Sequence, residues 1–107
     1  MIIIKKKFHQ LVDKTIEKIE KYLDNYQGKL DIDYEKSGNT TKINIKSKNE
    51  IIITRQEFLQ QIWIATQYKG YYFKYKNNKW ICQKKYELFD FLKKFFLKKT
   101  KENIFGK

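Results

Sequence analysis

The first quarter of the chain has the hydrophobic spacing of a helix that packs one face on a core, with residues recurring at steps of three and four. These positions are Phe8, Leu11, Val12, Thr15, Ile16, Ile19, Leu23 and Tyr26. Gly28 follows them and is expected to end the helix. At about 100° per residue, the acidic side chains share one flank of this helix and most of its lysines share the other. The acidic flank consists of Asp13, Glu17, Glu20 and Asp24.

From residue 31 onward the period of the pattern changes from 3.6 to two, which is typical of strands with one buried face. Strands are predicted at Asp31–Glu35, around Ile43 and Ile45, and at Glu50–Thr54, Leu59–Ala65, Tyr71–Lys76 and Lys79–Cys82. Turns are predicted at Ser37–Thr40, Lys48–Asn49, Lys69–Gly70 and Asn77–Asn78. Helical spacing returns with Leu88, Phe91, Leu92, Phe95 and Phe96.

This order predicts an α+β fold, a two-layer sandwich in which two helices cover one face of a five- to six-stranded antiparallel sheet. Two helices can cover only one face, so the other should be open to solvent. If Ile62 and Ile64 point to the helices, Gln61 and Trp63 lie on that open face, whereas Trp80 is expected in the core. We expect one domain over residues 1–107, with residues 98–107 as a frayed basic tail.

Charge is the strongest compositional feature, with a formal net charge of +12 over 107 residues. Residues 1–35 are neutral, with seven lysines and seven acids, and residues 36–107 carry 17 basic and five acidic residues. Such a surface is compatible with a nucleic-acid or anionic-surface binding module. The basic residues are almost all lysine, however, and Arg55 is the single arginine, whereas sequence-reading nucleic-acid binders favour arginine. Nucleic acid is therefore the less favoured partner.

Several classes of protein are disfavoured by simple counts. Cys82 is the only cysteine, which rules out an intrachain disulfide and a cysteine-ligated zinc or iron–sulfur site. The N-terminal apolar run, Ile2–Ile4, is too short for a secretion signal or a membrane span. No nucleophile with a recognisable base and no phosphate-binding glycine loop is present. We expect a cytoplasmic, monomeric, non-enzymatic protein without a membrane partner.

Two segments resemble a known family. Ile51–Cys82, IIITRQEFLQQIWIATQYKGYYFKYKNNKWIC, resembles the sheet region of the frataxin family, with RQ, QIW and WIC in the expected order. Phe8–Glu35 is similar to the bacterial, CyaY-type members, including their IE, LD and DIDxE elements. The likeness covers roughly residues 4–97. It implies the same α–β sandwich that the periodicity predicts.

The resemblance also implies a function. Members of this family bind ferrous or ferric iron weakly through carboxylates and contact the cysteine desulfurase and scaffold protein that build iron–sulfur clusters. The implied iron ligands are Glu20, Asp24, Asp31 and Asp33, which stand at acidic positions of the family, and Glu17 adds a predicted ligand on the same flank. The implied partner-binding residues are Glu20, Asp24, Arg55, Gln61 and Trp63. Lysine, asparagine or glutamine stands at four positions where bacterial relatives commonly keep acids, Lys21, Asn25, Gln27 and Lys29.

Other interpretations remain open beside the resemblance. On spacing alone the acidic flank is more typical of a solvated helix surface, and a tryptophan half-covered by its neighbours is about as common as one that contacts a partner. The basic remainder of the chain could bind nucleic acid or an anionic surface, in which case affinity should fall steeply with added salt because bound counterions are released. A frataxin fold that keeps only its protein contacts is a third possibility.

Overall fold

The computed structural model describes residues 3–45 and 49–105. Their elements, in chain order, are α1 (Lys5–Asp24), β1 (Ile32–Ser37), β2 (Thr40–Ile45), β3 (Asn49–Gln56), β4 (Gln61–Ala65), β5 (Gly70–Lys76), β6 (Lys79–Cys82) and α2 (Leu88–Thr100). The six strands form one antiparallel sheet in sequence order, so β1 and β6 are its edges. The predicted α+β sandwich, with its order of helix, strands and helix, is confirmed.

The core lies between the helices and one face of the sheet. Alternate strand residues are buried there, namely Ile43, Ile45, Ile51, Ile53, Ile62, Ile64, Phe73, Trp80 and Cys82. Their neighbours along each strand are half-buried or exposed on the opposite face. The helices contribute Phe8, Val12, Ile19, Leu88, Leu92 and Phe96, each 1% exposed or less. This alternation confirms the open sheet face and the core position of Trp80.

Helix α1 begins at Lys5, earlier than the hydrophobic spacing indicated, and its start is tied to the turn between β3 and β4. Ile4 provides no side-chain cap for the helix. Instead, the Gln60 side chain accepts a hydrogen bond from the backbone N–H of Ile3, 2.9 Å away, and donates one to the carbonyl oxygen of the same residue. Lys5 also pairs with Glu57 at 2.9 Å. These contacts hold the beginning of the helix against one end of the sheet.

Gly28 is required for a different reason from the one predicted. Helix α1 ends at Asp24, before this glycine. A Cβ atom at position 28 would lie 2.1 Å from the Tyr26 hydroxyl oxygen and 2.2 Å from Glu102 Oε1. The Tyr26 hydroxyl donates to that Glu102 oxygen over 2.5 Å. Glycine at this position therefore leaves room for a contact between the end of α1 and the C-terminal segment.

The predicted turns and strand ends agree with the structure in part. Asn77 and Asn78 form the two-residue turn of the β5–β6 hairpin, with φ of 53° and 64°. Strand β4 begins at Gln61 rather than Leu59, because residues 57–60 form a turn closed by a 3.2 Å hydrogen bond from the Gln60 N–H to the Glu57 carbonyl. The turn predicted at Lys48–Asn49 lies partly outside the described residues, and Asn49 is the first residue of β3.

The C-terminal segment corrects the expectation of a frayed tail at residues 98–107. Helix α2 continues to Thr100, and Ile104 and Phe105 are buried, at 5% and 2% exposure. The Phe105 ring packs on those of Tyr22 and Phe96, with centroids 5.5 and 4.9 Å away. Lys98, Lys99 and Lys101 are exposed to solvent, while Ile104 and Phe105 close the core. The prediction is wrong for residues 98–105, and residues 106 and 107 lie outside the described ranges.

Candidate functional site

The five predicted iron ligands lie along the edge where α1 meets β1, and we call them the acidic ridge: Glu17, Glu20, Asp24, Asp31 and Asp33. Four of the side chains are exposed, and Glu20 is half-buried. Helical periodicity places the first three on one flank of α1. Asp31 immediately precedes β1 and Asp33 lies within it. The ridge was predicted to continue from the helix onto the strand. The two elements are neighbours, but their carboxylates do not share one surface.

Strand alternation divides the ridge. Tyr34 faces α1, since its hydroxyl donates a 2.9 Å hydrogen bond to Asp24 Oδ1 and its partner on β2 is the buried Ile43. Asp33, one residue earlier, therefore points to the opposite side of the sheet, beside Asn44. The carboxylate of Asp33 and those of the helix flank lie on different sides of the edge strand.

Two contacts from β1 reduce the free negative charge of the helix flank. The Lys36 ammonium lies 3.2 Å from Glu20 Oε2, and Tyr34 binds Asp24 as described. The hydrogen bond to Asp24 is the main cause that raises the pKa of the Tyr34 hydroxyl, followed by its partial burial and the negative charges of Asp24 and Glu20. Sequence analysis missed Lys36, although its spacing of two from Tyr34 puts both on the helix-facing side.

The donor chemistry of the ridge suits a hard cation, but its geometry does not form a cage. Carboxylate oxygens are suitable ligands for iron. Over residues 3–45 and 49–105, however, no group of three His, Cys, Asp or Glu side chains is placed to hold a metal ion. The ridge can attract a hydrated cation through its exposed carboxylates, and it offers single ligands rather than a preformed chelating site.

Arg55, predicted to bind a partner together with Gln61 and Trp63, does not lie on the same face of the sheet as these two residues. Arg55 pairs with the core-facing Ile62, whereas Trp63 pairs with Thr54 on the open face. The Arg55 guanidinium reaches α1, where it donates to Asp13 Oδ1 at 2.6 Å. Its other terminal nitrogen lies 3.0 Å from Nδ1 of His9. The structure therefore places Arg55 and Trp63 on opposite faces of the sheet.

Gln61 and Trp63 do lie together on the open face. The Trp63 indole N–H donates to the Gln61 side-chain oxygen over 2.8 Å. The Trp63 ring meets Tyr72 of β5 edge to face, with centroids 4.8 Å apart. Tyr72 is 44% exposed, and Trp63 is half-buried. The two rings form an apolar contact surface whose tryptophan is already oriented, and Tyr72 is a member that the sequence analysis did not assign.

His9 and Cys82 are both engaged in the structure. His9 lies between Arg55 on its Nδ1 side and Glu57 on its Nε2 side, the latter at 3.2 Å. Since the arginine can only donate, His9 Nδ1 accepts and Nε2 donates to the carboxylate. Cys82 is buried at 5% exposure and packs as a small apolar side chain in the core.

Comparison with known proteins identifies the family. The sequence profile of the frataxin-like domain matches residues 1–102. The chain belongs to the frataxin-like family. The family assignment predicted from Ile51–Cys82 and Phe8–Glu35 is confirmed.

Two curated relatives of this frataxin-like chain carry the name iron-sulfur cluster assembly protein CyaY. They come from Buchnera aphidicola subsp. Acyrthosiphon pisum, strains Tuc7 and APS, and each is 48% identical over 77 residues, or 72% of the chain. The matched region spans 66% of the length of each relative.

A solved structure agrees over nearly the whole chain. Frataxin from Psychromonas ingrahamii, described as a model for stability modulation within the CyaY protein family, superposes with a TM-score of 0.88. It is 31% identical, and the match covers 98% of this chain and 100% of that one. The six-stranded sheet and two helices of this frataxin-like protein are thus those of its family. Among the helices within the described ranges, none is both long and apolar enough to cross a membrane.

Proposed function

We propose that this frataxin-like protein is a non-catalytic accessory factor of iron–sulfur cluster assembly that docks on a cysteine desulfurase through the acidic ridge. The 48% identity to CyaY proteins named for cluster assembly supports the role. The observation that carries the docking surface is the exposure of four carboxylates on an otherwise basic protein, Glu17 and Asp24 on α1 and Asp31 and Asp33 at the adjoining edge strand. A local acidic surface of this kind would orient a basic partner during encounter, because complementary charge accelerates and steers association.

Iron is proposed as cargo that visits the ridge and not as a resident cofactor. The exposed carboxylates are hard oxygen donors, and they are not grouped in threes over the part of the chain that the structure describes. Such a site would hold iron weakly and select poorly among cations. The same carboxylates can serve partner docking, so iron and the desulfurase would compete for overlapping residues.

The open sheet face is the proposed contact for the scaffold protein. Trp63 and Tyr72 provide an apolar centre, and Gln61 fixes the indole orientation through its 2.8 Å hydrogen bond. Aromatic residues that are already ordered lose little conformational freedom on binding, which favours them as interface anchors. Arg55 contributes to this surface only indirectly, because it faces α1.

The docking proposal is tested by reversing the charge of two ridge residues that form no ion pair among the described residues. Glu17 and Asp31 are exposed and take part in no ion pair among the described residues. The double variant Glu17→Lys/Asp31→Lys should bind purified cysteine desulfurase at least about tenfold more weakly, with most of the loss in the association rate. A control of identical charge change outside the ridge, Glu50→Lys/Asp90→Lys, should remain within about threefold of the parent. Because Glu50 pairs with Lys42 at 3.7 Å and Asp90 lies in the first turn of α2, an amide spectrum of the control checks that it is folded.

Equal weakening of both double variants would show that only net charge matters and would refute the ridge as the docking surface. Iron is tested separately by anaerobic ferrous titration followed by amide NMR. Broadening confined to residues near Glu17, Glu20, Asp24, Asp31 and Asp33 supports the iron role. If millimolar ferrous ion gives no localised broadening, the ridge is not an iron site. The docking proposal is then tested by the desulfurase measurement alone.

A further inference from the structure

The flank of α1 opposite the acidic ridge borders a groove that has no assigned role. It lies between α1, the β5–β6 hairpin and the beginning of α2, and its volume is roughly 350 Å³. Its lining residues come from three elements: Leu11, Lys14, Thr15 and Lys18 of α1; Tyr75, Asn78, Lys79 and Trp80 of the hairpin; and Glu87 and Phe89 near α2. The volume is at the lower end of the range of small-molecule sites, about 300–1,000 Å³.

The inner wall of the groove is aromatic and held in place. Trp80 is 4% exposed and its indole N–H donates a 3.0 Å hydrogen bond to Thr15 Oγ1. The Thr15 hydroxyl in turn donates to the Leu11 carbonyl at 3.0 Å. The Tyr75 ring meets the Trp80 ring edge to face at 5.2 Å. Because these polar atoms already bond to one another, the wall offers a guest apolar and aromatic surface rather than hydrogen bonds.

The rim of the groove is positively charged. Lys14 and Lys79 form no ion pair with a described acidic residue, and the Lys18 ammonium lies 4.5 Å from the centre of the Phe89 ring. Glu87, the one carboxylate among the described lining residues, is committed to the N-terminus of α2. Its two oxygens accept from the backbone N–H groups of Phe89 and Asp90, each at 3.0 Å. Lys14, Lys18 and Lys79 therefore give the rim, over its described lining residues, a net positive charge.

We propose that this groove is a binding site for a small anionic ligand with a flat ring, of the nucleoside phosphate class. The phosphates would bind Lys14, Lys18 and Lys79 at the rim. The ring would pack on Tyr75, because Trp80 is only 4% exposed and the Lys18 ammonium lies over the Phe89 ring. Either part alone leaves half of the groove unused: a bare phosphate gains no packing, and an uncharged ring leaves the lysines uncompensated. The site is separate from the acidic ridge and does not depend on the proposed function.

The experiment uses the full chain, labelled with ¹⁵N, at physiological ionic strength, with ATP, tripolyphosphate and adenosine as separate probes. ATP should shift amides of the groove, around residues 11–18, 75–80 and 87–89, with saturation in the millimolar range or below. The variant Lys14→Gln/Lys79→Gln should weaken ATP binding about tenfold, since each hydrogen bond between a charged pair contributes measurably. The control Lys84→Gln/Lys98→Gln removes the same charge from exposed positions outside the groove and should change binding less than about twofold.

Three results would overturn the proposal. One is the absence of localised shifts with ATP, and another is equal weakening in both double variants, which would mean diffuse attraction to a basic surface. The third is an equal affinity of tripolyphosphate for the groove, which would remove the ring from the assigned ligand class. Weak binding of tripolyphosphate and of adenosine beside tighter binding of ATP, confined to the groove, is the result expected.

Discussion

Glu20 on α1 and Lys36 on β1 form an ion pair with 3.2 Å between their charged atoms, in the middle of the acidic ridge. The Glu20 side chain is 19% exposed and that of Lys36 is 57% exposed. The lysine therefore lies over a carboxylate that would otherwise be available to a cation or a basic partner. Lys36 therefore reduces the negative charge of the ridge at Glu20, which is the half-buried residue of the five.

Removing this lysine should strengthen the ridge. For Lys36→Gln we expect ferrous ion and the cysteine desulfurase to bind about two- to fivefold more tightly, in line with the modest strength of a solvent-screened ion pair. Lys42→Gln is the matched control. Lys42 pairs with Glu50 at 3.7 Å on the open face, and its substitution removes the same charge. Equal gains in the two variants, measured by titration, would argue against a specific effect of Lys36.

Much of the fold could be predicted because the hydrophobic period is a local property. The change from 3.6 to two residues separates α1 from β1, and the buried alternation in Ile62 and Ile64 fixes which face carries Trp63. Such features depend on neighbours within one element, so single-sequence reasoning reaches them.

Contacts between elements were harder to predict from the sequence. The ion pair of Arg55 with Asp13 joins residues 42 positions apart, and no local pattern indicates it. The frayed tail was predicted from lysine density, whereas burial of Phe105 depends on Tyr22 and Phe96 leaving space at the end of the core. The division of the acidic ridge was available in principle, since Asp33 and Tyr34 are adjacent and must point to opposite sides of a strand.

The contacts of Arg55 predict a role in stability that must be separated from any role in binding. Arg55→Gln should lower the free energy of unfolding by about 1 kcal/mol, because it removes the ion pair of a half-buried arginine with an exposed aspartate and the contact with His9. In chemical denaturation, Asp13→Asn should have a smaller effect in the Arg55→Gln background than in the parent. Lys74→Gln, an exposed change on the open face, should stay within about 0.5 kcal/mol of the parent. Additive effects of the Arg55 and Asp13 changes would contradict their coupling.

Substitution of Gly28, where other atoms approach closely, should reduce stability more than substitution of Gly70. Gly28→Ala places a Cβ 2.1 Å from the Tyr26 hydroxyl oxygen, so the link from Tyr26 to Glu102 must move. We expect a loss of about 1–3 kcal/mol in the free energy of unfolding, typical of overpacking. Gly70→Ala is the control, since no atom lies within 4 Å of a Cβ there. Similar stability of the two variants would show that the C-terminal segment adapts freely.

The two tyrosines that hydrogen-bond to carboxylates predict a loss of stability at alkaline pH. The pKa of Tyr34 is raised above the ordinary 10.0 mainly by its hydrogen bond to Asp24, and that of Tyr26 mainly by desolvation and then by its hydrogen bond to Glu102. When the folded-state pKa is the higher one, the folded protein holds the proton more tightly than the unfolded chain does. The stabilisation is therefore complete below about pH 10 and is lost as the pH rises through the folded-state pKa.

The variant Tyr26→Phe/Tyr34→Phe should be less stable than the parent near neutral pH, because both hydroxyl hydrogen bonds are gone. Its free energy of unfolding should also fall less steeply above about pH 10, so the difference from the parent narrows as the pH rises. Tyr68→Phe removes an exposed phenol and leaves both hydrogen bonds in place, so it should retain the parental decline. Denaturant unfolding at a series of pH values measures both slopes. Parallel curves for the double variant and the parent would mean that neither hydroxyl is coupled to folding through its carboxylate. The hydrogen bond from Tyr34 would then not limit the availability of the Asp24 carboxylate on the acidic ridge.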